Sequence, residues 1–514
     1  MGWASPLLWF TDTPVQPRKM ASPLIIRNLT STPIELKLIE RFQAPGQAPA
    51  KTEEKSNNNE SSLGSLAKNF TTLMNNVTNT IQSPTNLELA ANAQSFSHKD
   101  VNIRIEPFEV CKTDIPLKER DDHEIMRLTF ENAGQRYRLD VPSPTSKSTS
   151  LTPLQQNSQF EYTGVYLPQS SYLSLYSSAR LNSWMGKLKP QTPLSALSIP
   201  GTHNSATHYL ALPSVRCQAV SVTDQLNNGV RFLDVRVQPE NLEDPNADGL
   251  ILVHAVFPIS LTGNKYFRDF LNEVTAFLDQ NPSETVLMSL KREGVGKSTD
   301  QQFSKILHDH YISKDKGRWF TDNRIPRLEE ARKKIVLVRR FGVDDAVKGY
   351  NNNAGFGLDA SSWPDNCEDG LCVGGTIRVQ DFYEVEESVN IDKKIKFCHT
   401  HLEKAGSLVC PLPGAANAAQ APNPFFINFL TASNFFRPGC WPDRVAAKVN
   451  PATVDFLCRR HNEKEYYSTL AERRAIGDGS TGIVVCDWVG EKGDWDLVRC
   501  IVGHNAKLEL RENK

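Results

Sequence analysis

The stretch LSALSIPGTHNSATHYL, residues 194–210, sets His203 among small polar residues directly after an apolar run and a Pro-Gly turn. A second histidine, His254, closes another apolar run, LILVH. Two imidazoles suit acid–base chemistry near neutral pH, because one neutral ring can take a proton while a second, protonated ring gives one. Further apolar runs end on groups of the same kind. VRFLDVR carries Asp234 and Arg236, TVLMSLK ends at Lys291, and KIVLVRR ends at Arg340. TIRVQDFY carries Asp381 and Tyr383, FFINFLT carries Asn428, and GIVVCD ends at Asp487. Two histidines, two arginines and a lysine around one pocket would suit an anionic substrate, with carboxylates to orient them. On a phosphoric diester, a neighbouring substrate hydroxyl could attack and close a cyclic phosphate, with much of the rate supplied by proximity. An arginine would spread positive charge over the nonbridging oxygens. Neither a protein nucleophile nor a metal is then required.

Each residue also has a plainer reading. A lone histidine is usually a satisfied core or surface group, Asp234–Arg236 reads equally as a structural ion pair, and Lys291 with Arg292 and Glu293 reads as a solvated strand end. The plain readings must, however, explain a polar tip on every run at once.

The elements that must carry these tips are eight short apolar runs beyond residue 190, from LSALSI to GIVVCD. Most are too apolar for half-exposed strands and suit a parallel sheet buried on both faces. Helical segments lie between several of them. In NKYFRDFLNEVTAFLDQNP, Tyr266, Phe267, Phe270, Leu271, Val274, Phe277 and Leu278 share one stripe. Strand and helix in alternation predict an α/β fold, a TIM-type (β/α)8 barrel whose site lies at the strand C-termini. The Gly/Asn-rich stretch 341–375 shows no helix, so the barrel is expected to be irregular.

The first third differs. PLIIRN and IELKLIERF, then VNIRIEPFEV, EIMRLTF and QRYRLDV, alternate and predict an antiparallel β-sandwich-like domain over 21–168, after an extension of residues 1–20. The span 44–98 is rich in Ser and Asn and is expected to be a mobile insertion, with the barrel occupying 169–514. Within it, Leu63, Leu66, Phe70, Leu73, Met74, Val77 and Ile81 recur at helical spacing opposite an almost uncharged polar face. That pattern suits a lipid-packing sensor, and equally a helix docked on the sandwich or an unstructured segment.

With 514 residues the chain exceeds one ordinary core. A formal net charge of -1 gives no polyanion-binding signal and argues against bulk nucleic-acid binding. No apolar stretch is long enough to span a membrane. MGWASPLLWFTDTP is a poor signal peptide and misses the myristoylation pattern, while Met20 is an alternative start. A cytoplasmic or peripheral membrane location is favoured, with secretion left open by sequons at Asn28, Asn59, Asn69 and Asn76. Eight of the ten cysteines lie beyond residue 360. Cys367 and Cys372 could close a loop disulfide, but a chain of this size needs no disulfide framework, and no zinc-finger spacing accompanies them.

The segments SIPGTHNS, GVRFLDVR, LVH, NPSETVLMSLKREG, KIVLVRRF, VQDFY, FINF and VVCDW, in this order, closely resemble the bacterial-type phosphatidylinositol-specific phospholipases C, the X-domain fold, over about 180–500. The resemblance implies cleavage of a membrane inositol phospholipid by peripheral contact, without cofactor. By position, His203 would be the general base on the inositol 2-hydroxyl, Asp487 its orienting partner, and His254 the general acid for the diacylglycerol oxygen. Arg236 would clamp the phosphate with Asp234 alongside. Lys291, Arg340, Asp381 and Tyr383 match inositol-contacting positions, and Asn428 and Trp363 are further candidates for substrate contact, Trp363 at the pocket mouth or against the membrane.

Two positions depart from the bacterial pattern. Asn204 stands where those enzymes carry Asp, and Ala255 where Gly follows the second histidine. Calcium-dependent relatives carry Asn at position 204, but they put a carboxylate where Arg236 stands. A calcium ion and Arg236 would repel each other, so no metal is expected. Two rival readings remain. A metal-dependent glycerophosphodiesterase or sphingomyelinase-type barrel would need paired carboxylates near the first histidine. A lipid- or inositol-phosphate-binding protein with an impaired barrel would be consistent with Asn204.

Overall fold

The computed structural model describes residues 22–44, 89–90, 92–116, 124–142, 148–241, 244, 247–387, 389–464 and 477–512. The amphipathic stretch at 63–81 and the sequons at Asn59, Asn69 and Asn76 lie outside them. The chain is mixed α/β, with strands dominating before residue 178 and strands alternating with helices after it.

Two five-stranded sheets form the N-terminal part. One is ordered Val110–Pro116, Pro23–Asn28, Tyr172–Ser177, Tyr162–Leu167, Ser148–Ser150. The other is ordered Ser97–Ile105, Ile34–Gln43, Glu124–Asn132, Gln135–Val141, Thr152–Pro153. Alternation in IELKLIERFQ buries Ile34, Leu36 and Ile39 on one face. These residues share a core with Leu24, Ile26, Leu173 and Leu175 from the other sheet. Tyr172–Ser177 pairs in parallel with Pro23–Asn28, so this unit runs past the junction expected at residue 168, to about 177. Asn28 is fully buried, and its amide nitrogen donates to the carbonyls of Thr32 and Ile105. The sequon at Asn28 is therefore closed to a glycan in the folded protein.

The C-terminal part is built on a parallel sheet. Its main strands run in the spatial order Ile335–Arg340, Val286–Arg292, Phe232–Pro239, Ile199–Thr202, Ile483–Cys486, Phe425–Phe429, Ile377–Gln380. Since Ile199–Thr202 pairs with Ile483–Cys486, the last strand returns beside the first. The strands are mostly apolar, as burial on both faces favours: every residue of Ile199–Thr202, Phe425–Phe429 and Ile483–Cys486 is buried. Helix Phe267–Gln280 packs the expected stripe inward, burying Phe267, Phe270, Val274, Phe277 and Leu278. Between Arg340 and Ile377 only a short 3-10 turn and two-residue strands occur, so this connection is irregular as expected.

The third apolar run departs from the expected parallel order. Leu250–His254 pairs antiparallel with Phe232–Pro239 and turns at once into Phe257–Pro258. His254 thus reaches the site from a hairpin. A five-residue apolar run fixes burial but not direction, because periodicity carries no polarity.

The two parts are joined by buried polar contacts. Arg27, fully buried, donates to the carbonyls of Cys458 and His461. All ten cysteines are free thiols, Cys367 and Cys372 included.

Candidate active site

The polar tips converge at the C-terminal ends of the parallel strands. His203 follows Ile199–Thr202 directly, and Asp487 follows the neighbouring Ile483–Cys486. Their adjacency in the sheet brings His203 Nδ1 to 3.0 Å from Asp487 Oδ1. The Gln218 amide donates to the carbonyls of His203 and Cys486 and ties the two strand ends together. His254 faces His203 edge-on, with ring centroids 5.6 Å apart, and its Nδ1 lies 2.8 Å from the Val215 carbonyl. Each ring therefore has one nitrogen engaged by the protein, which fixes its orientation.

Three residues immediately after these tips adopt a left-handed backbone without being glycine: Asn204 at φ 42°, Ala255 at φ 51° and Trp488 at φ 54°. Such turns carry local strain and re-aim the preceding side chain. The position after His254, where the bacterial pattern has Gly, is thus one where Gly would be unstrained. Here the Ala255 N–H is anchored by a 2.8 Å bond to Glu293 Oε2.

Opposite the histidines runs an arc of paired charges. Arg236 bonds Asp234 at 3.2 Å and Glu293 at 3.1 Å. Lys291 bonds Glu293 at 2.7 Å. Arg340 reaches Asp234 at 3.5 Å and Asp381 at 3.9 Å, and its guanidinium lies 3.8 Å over the Trp363 ring. Trp363 donates to Asp381 at 2.9 Å, which ties it to the charged arc. Tyr383 is half-buried, and its hydroxyl bonds Asp365 at 3.0 Å.

Burial and these charges set the protonation states. Burial, then Arg236, hold His203 well below the usual imidazole range. Burial also pushes the Asp487 carboxyl up, so both members of the pair lean toward their neutral forms. His254 is lowered to about 4 by burial and Arg236, against the pull of its Val215 bond. Burial raises Glu293, but Arg236 and Lys291 outweigh it and hold the carboxyl at about 2. Burial opposes the charge on Arg236, and Glu293 and Asp234 more than restore it.

Asn428 stands apart from the other expected contacts. It is fully buried, its amide nitrogen donates to Cys398 and its amide oxygen accepts from Gln380. Both ends are used inside the protein, which corrects its expected substrate contact: it braces neighbouring backbone. Asn204 is nearly buried, its N–H donates weakly to Asp234 at 3.3 Å, and its amide nitrogen has no partner.

Four residues escaped the sequence reading. Glu293 looked like a solvated strand end and instead joins Arg236, Lys291 and the His254 turn. Buried Lys394 bonds Gln380 and the Phe382 carbonyl beside Asp381. Cys217 and Gln218 sit on a loop with no periodic signal. For Glu293 alone there was a clue, its place in SLKREG two residues after Lys291.

In class, this is a site that pairs two imidazoles with a cluster of cations held by carboxylates. Residues 191–341 match the family described as phosphatidylinositol-specific phospholipase C, X domain. It is 33% identical over 172 residues to 1-phosphatidylinositol phosphodiesterase of Listeria monocytogenes, covering 32% of this chain and 50% of that one. It is 29% identical over 342 residues to 1-phosphatidylinositol phosphodiesterase of Staphylococcus aureus, covering 63% of this chain and 94% of that one. It is also 28% identical over 192 residues to human PI-PLC X domain-containing protein 1, covering 31% of this chain and 54% of that one. The solved structure of phosphatidylinositol-specific phospholipase C from Listeria monocytogenes aligns with a TM-score of 0.45 at 21% identity, covering 64% of this chain and 99% of that one. In sequence, the match spans half the length of the Listeria relative.

Proposed function

We propose that the protein is a phosphoric diester hydrolase that cleaves phosphatidylinositol, or an inositol phospholipid like it, to diacylglycerol and a cyclic inositol phosphate. The observation that carries this reading is the pair of facing imidazoles, one backed by a carboxylate, opposite Arg236. His203 takes the proton of the inositol 2-hydroxyl, which attacks phosphorus. Asp487 keeps the ring in the tautomer that presents Nε2. His254 gives a proton to the departing diacylglycerol oxygen. Arg236 meets the nonbridging oxygens as their charge grows. Lys291, Arg340, Asp381 and Tyr383 surround the head group. No step uses a metal.

The parallel sheet, with its last strand paired to its first, is an irregular TIM-type barrel. The N-terminal sheets form a β-sandwich domain that covers it. Support comes from the strand order and from the shared core of the two N-terminal sheets.

Access to lipid is by peripheral contact in this reading; none of the described helices is long and apolar enough to cross a membrane. Phe436 is 86% exposed, and Phe435 stacks on Phe257, three residues after His254, at 4.9 Å. These rings offer the apolar rim such contact requires.

The test is cleavage of phosphatidylinositol in vesicles with and without EDTA, comparing wild type with His203→Ala. Water-soluble cyclic inositol phosphate, formed despite EDTA and lost in the variant, is the expected result. Activity abolished by EDTA would overturn the metal-free mechanism. Absence of cleavage in every condition would overturn the substrate.

A further inference from the structure

One group in the site has no part in the reaction above. Cys217 is fully buried, yet its sulfur lies 3.7 Å from His254 Nδ1. One ring nitrogen from His203, one from His254 and the Cys217 sulfur all lie within 4.8 Å of one another. The loop that carries the thiol is held from four directions. The Cys217 N–H donates to Thr207 Oγ1 at 3.1 Å, and the Cys217 carbonyl accepts from the Trp488 N–H at 2.9 Å. The next residue, Gln218, clamps the ends of the two strands beside it, and Val215 engages the His254 ring. The thiol is thus fixed between two imidazoles whose orientations are already set.

We propose that His203, Cys217 and His254 form a binding site for a soft divalent cation such as Zn2+, and that its occupation shuts off the acid–base pair. The inhibitory part of this proposal rests on the reading of His203 and His254 as catalytic; the binding part does not. Two imidazoles and a thiolate are a donor set that zinc favours, with a fourth position left open. Zinc bonds of about 2.0–2.3 Å place tetrahedral ligands roughly 3.4 Å apart, so donors lying within 4.8 Å of one another must close by up to roughly 1.4 Å. On binding, the thiol proton leaves to solvent and the thiolate and both neutral rings give lone pairs to the metal; no group changes oxidation state. The Asp487 contact to His203 is the outer-shell carboxylate that zinc-bound histidines commonly have. With its thiolate the bound ion adds a single net positive charge near Arg236, where a calcium ion would add two. Calcium and magnesium seek oxygen ligands, which this triad lacks. A metal here ties both rings up as ligands, taking a lone pair from each and leaving neither free to pass a proton, so it inhibits.

The experiment uses the full chain, stripped with chelator, and Zn2+ alone as probe. Calorimetric titration compares wild type with Cys217→Ser, Cys217→Ala and His254→Gln, each first checked by its melting curve. Wild type is expected to bind one more equivalent of Zn2+ than either Cys217 variant. The loss of affinity at that site should exceed the roughly 10–100-fold that losing an outer-shell partner costs. Cobalt bound to wild type should show a thiolate charge-transfer band absent from Cys217→Ser. In vesicle cleavage, Zn2+ should inhibit wild type, EDTA should restore it, and folded Cys217→Ser should stay active and resist the metal. Equal zinc stoichiometry and affinity in wild type and both Cys217 variants, or equal inhibition of wild type and Cys217→Ser, overturns the proposal. If no form cleaves phosphatidylinositol, the proposed reaction fails while the calorimetry and the cobalt spectrum still decide the metal site.

Discussion

The two sides of the pocket treat their polar atoms in opposite ways. On the arc side every carboxylate has a partner: Asp234 meets Arg236 and Arg340, Glu293 meets Arg236 and Lys291, and Asp381 meets Trp363 and Arg340. On the histidine side each ring has one nitrogen engaged, and the Asn204 amide nitrogen has no partner. Groups that hold fixed charge are locked, and the groups proposed to pass protons each have only one ring nitrogen held. A locked array of charges costs no reorganisation when negative charge develops, whereas a proton carrier must remain reachable.

The largest break in this contrast removes a proton carrier. His203→Ala and His254→Ala should each lower the cleavage rate by roughly 10²–10⁴, the usual contribution of one acid or base. Combining them should cost little more than either alone, because the two act as a unit. Steady-state rates on phosphatidylinositol vesicles give the comparison; additive losses would show that the rings act separately.

The next sharpening is pH. His254 must be protonated to act, and in the free protein it is held at about 4 by burial and Arg236. Glu293 and Asp234 pull the other way without outweighing them. His203 must be unprotonated, and burial keeps it so well below the ordinary imidazole range. Above pH 5, kcat/KM should therefore fall as pH rises, approaching tenfold per unit, with its optimum below 6.5, the ordinary histidine value. A bound diester anion raises the proton affinity of His254, so the kcat profile should sit at higher pH than that of kcat/KM. Profiles measured with chelator present decide this, and a kcat/KM optimum above pH 7 would contradict it.

The two sides also differed in how far the sequence revealed them. His203, Asp487 and Arg340 were legible because a strand tip is a predictable place: an apolar run stops, and the next polar residue stands on the rim. Helix Phe267–Gln280 was legible through its stripe. The direction of Leu250–His254 was not, since an apolar run of that length reads alike either way. Cys217 and Gln218 lie on a loop whose position follows from long-range bonds, to Thr207, Trp488 and Cys486, that leave no local pattern. Asn428 misled because a polar residue within a buried strand looks like a rim group, while its amide is spent on Cys398 and Gln380. Glu293 was passed over because a charge after Lys291 and Arg292 resembles a solvated end.

Glu293→Gln tests that oversight and has a middling effect. The amide still accepts from the Ala255 N–H but no longer balances Arg236 and Lys291. Arg236 is then freer to move, and its unbalanced charge further disfavours protonated His254. A drop in kcat/KM of about tenfold, close to the worth of one charge-assisted hydrogen bond, is expected. It should be steeper at high pH than at low pH. A pH-independent change in KM alone would mean that Glu293 serves only substrate binding.

The smallest effect concerns the turn that joins the two sides. Ala255 holds φ 51° while its N–H anchors Glu293, so one strained residue links His254 to the ion-pair arc. A non-glycine residue in this region costs roughly 1–2 kcal/mol, and glycine restores roughly 0.5–1 kcal/mol of unfolded-chain entropy. Ala255→Gly should thus raise unfolding stability by about 0.5–1 kcal/mol in chemical denaturation. If the strain also aims His254, the same substitution should lower kcat while leaving vesicle binding unchanged. Greater stability with an unaltered kcat would show that Glu293 alone holds the turn in place and that the strain has no part in aiming the ring. Lower stability would mean that Ala255 packing outweighs its backbone strain, and the bridge between the two sides would then be a matter of contact rather than conformation.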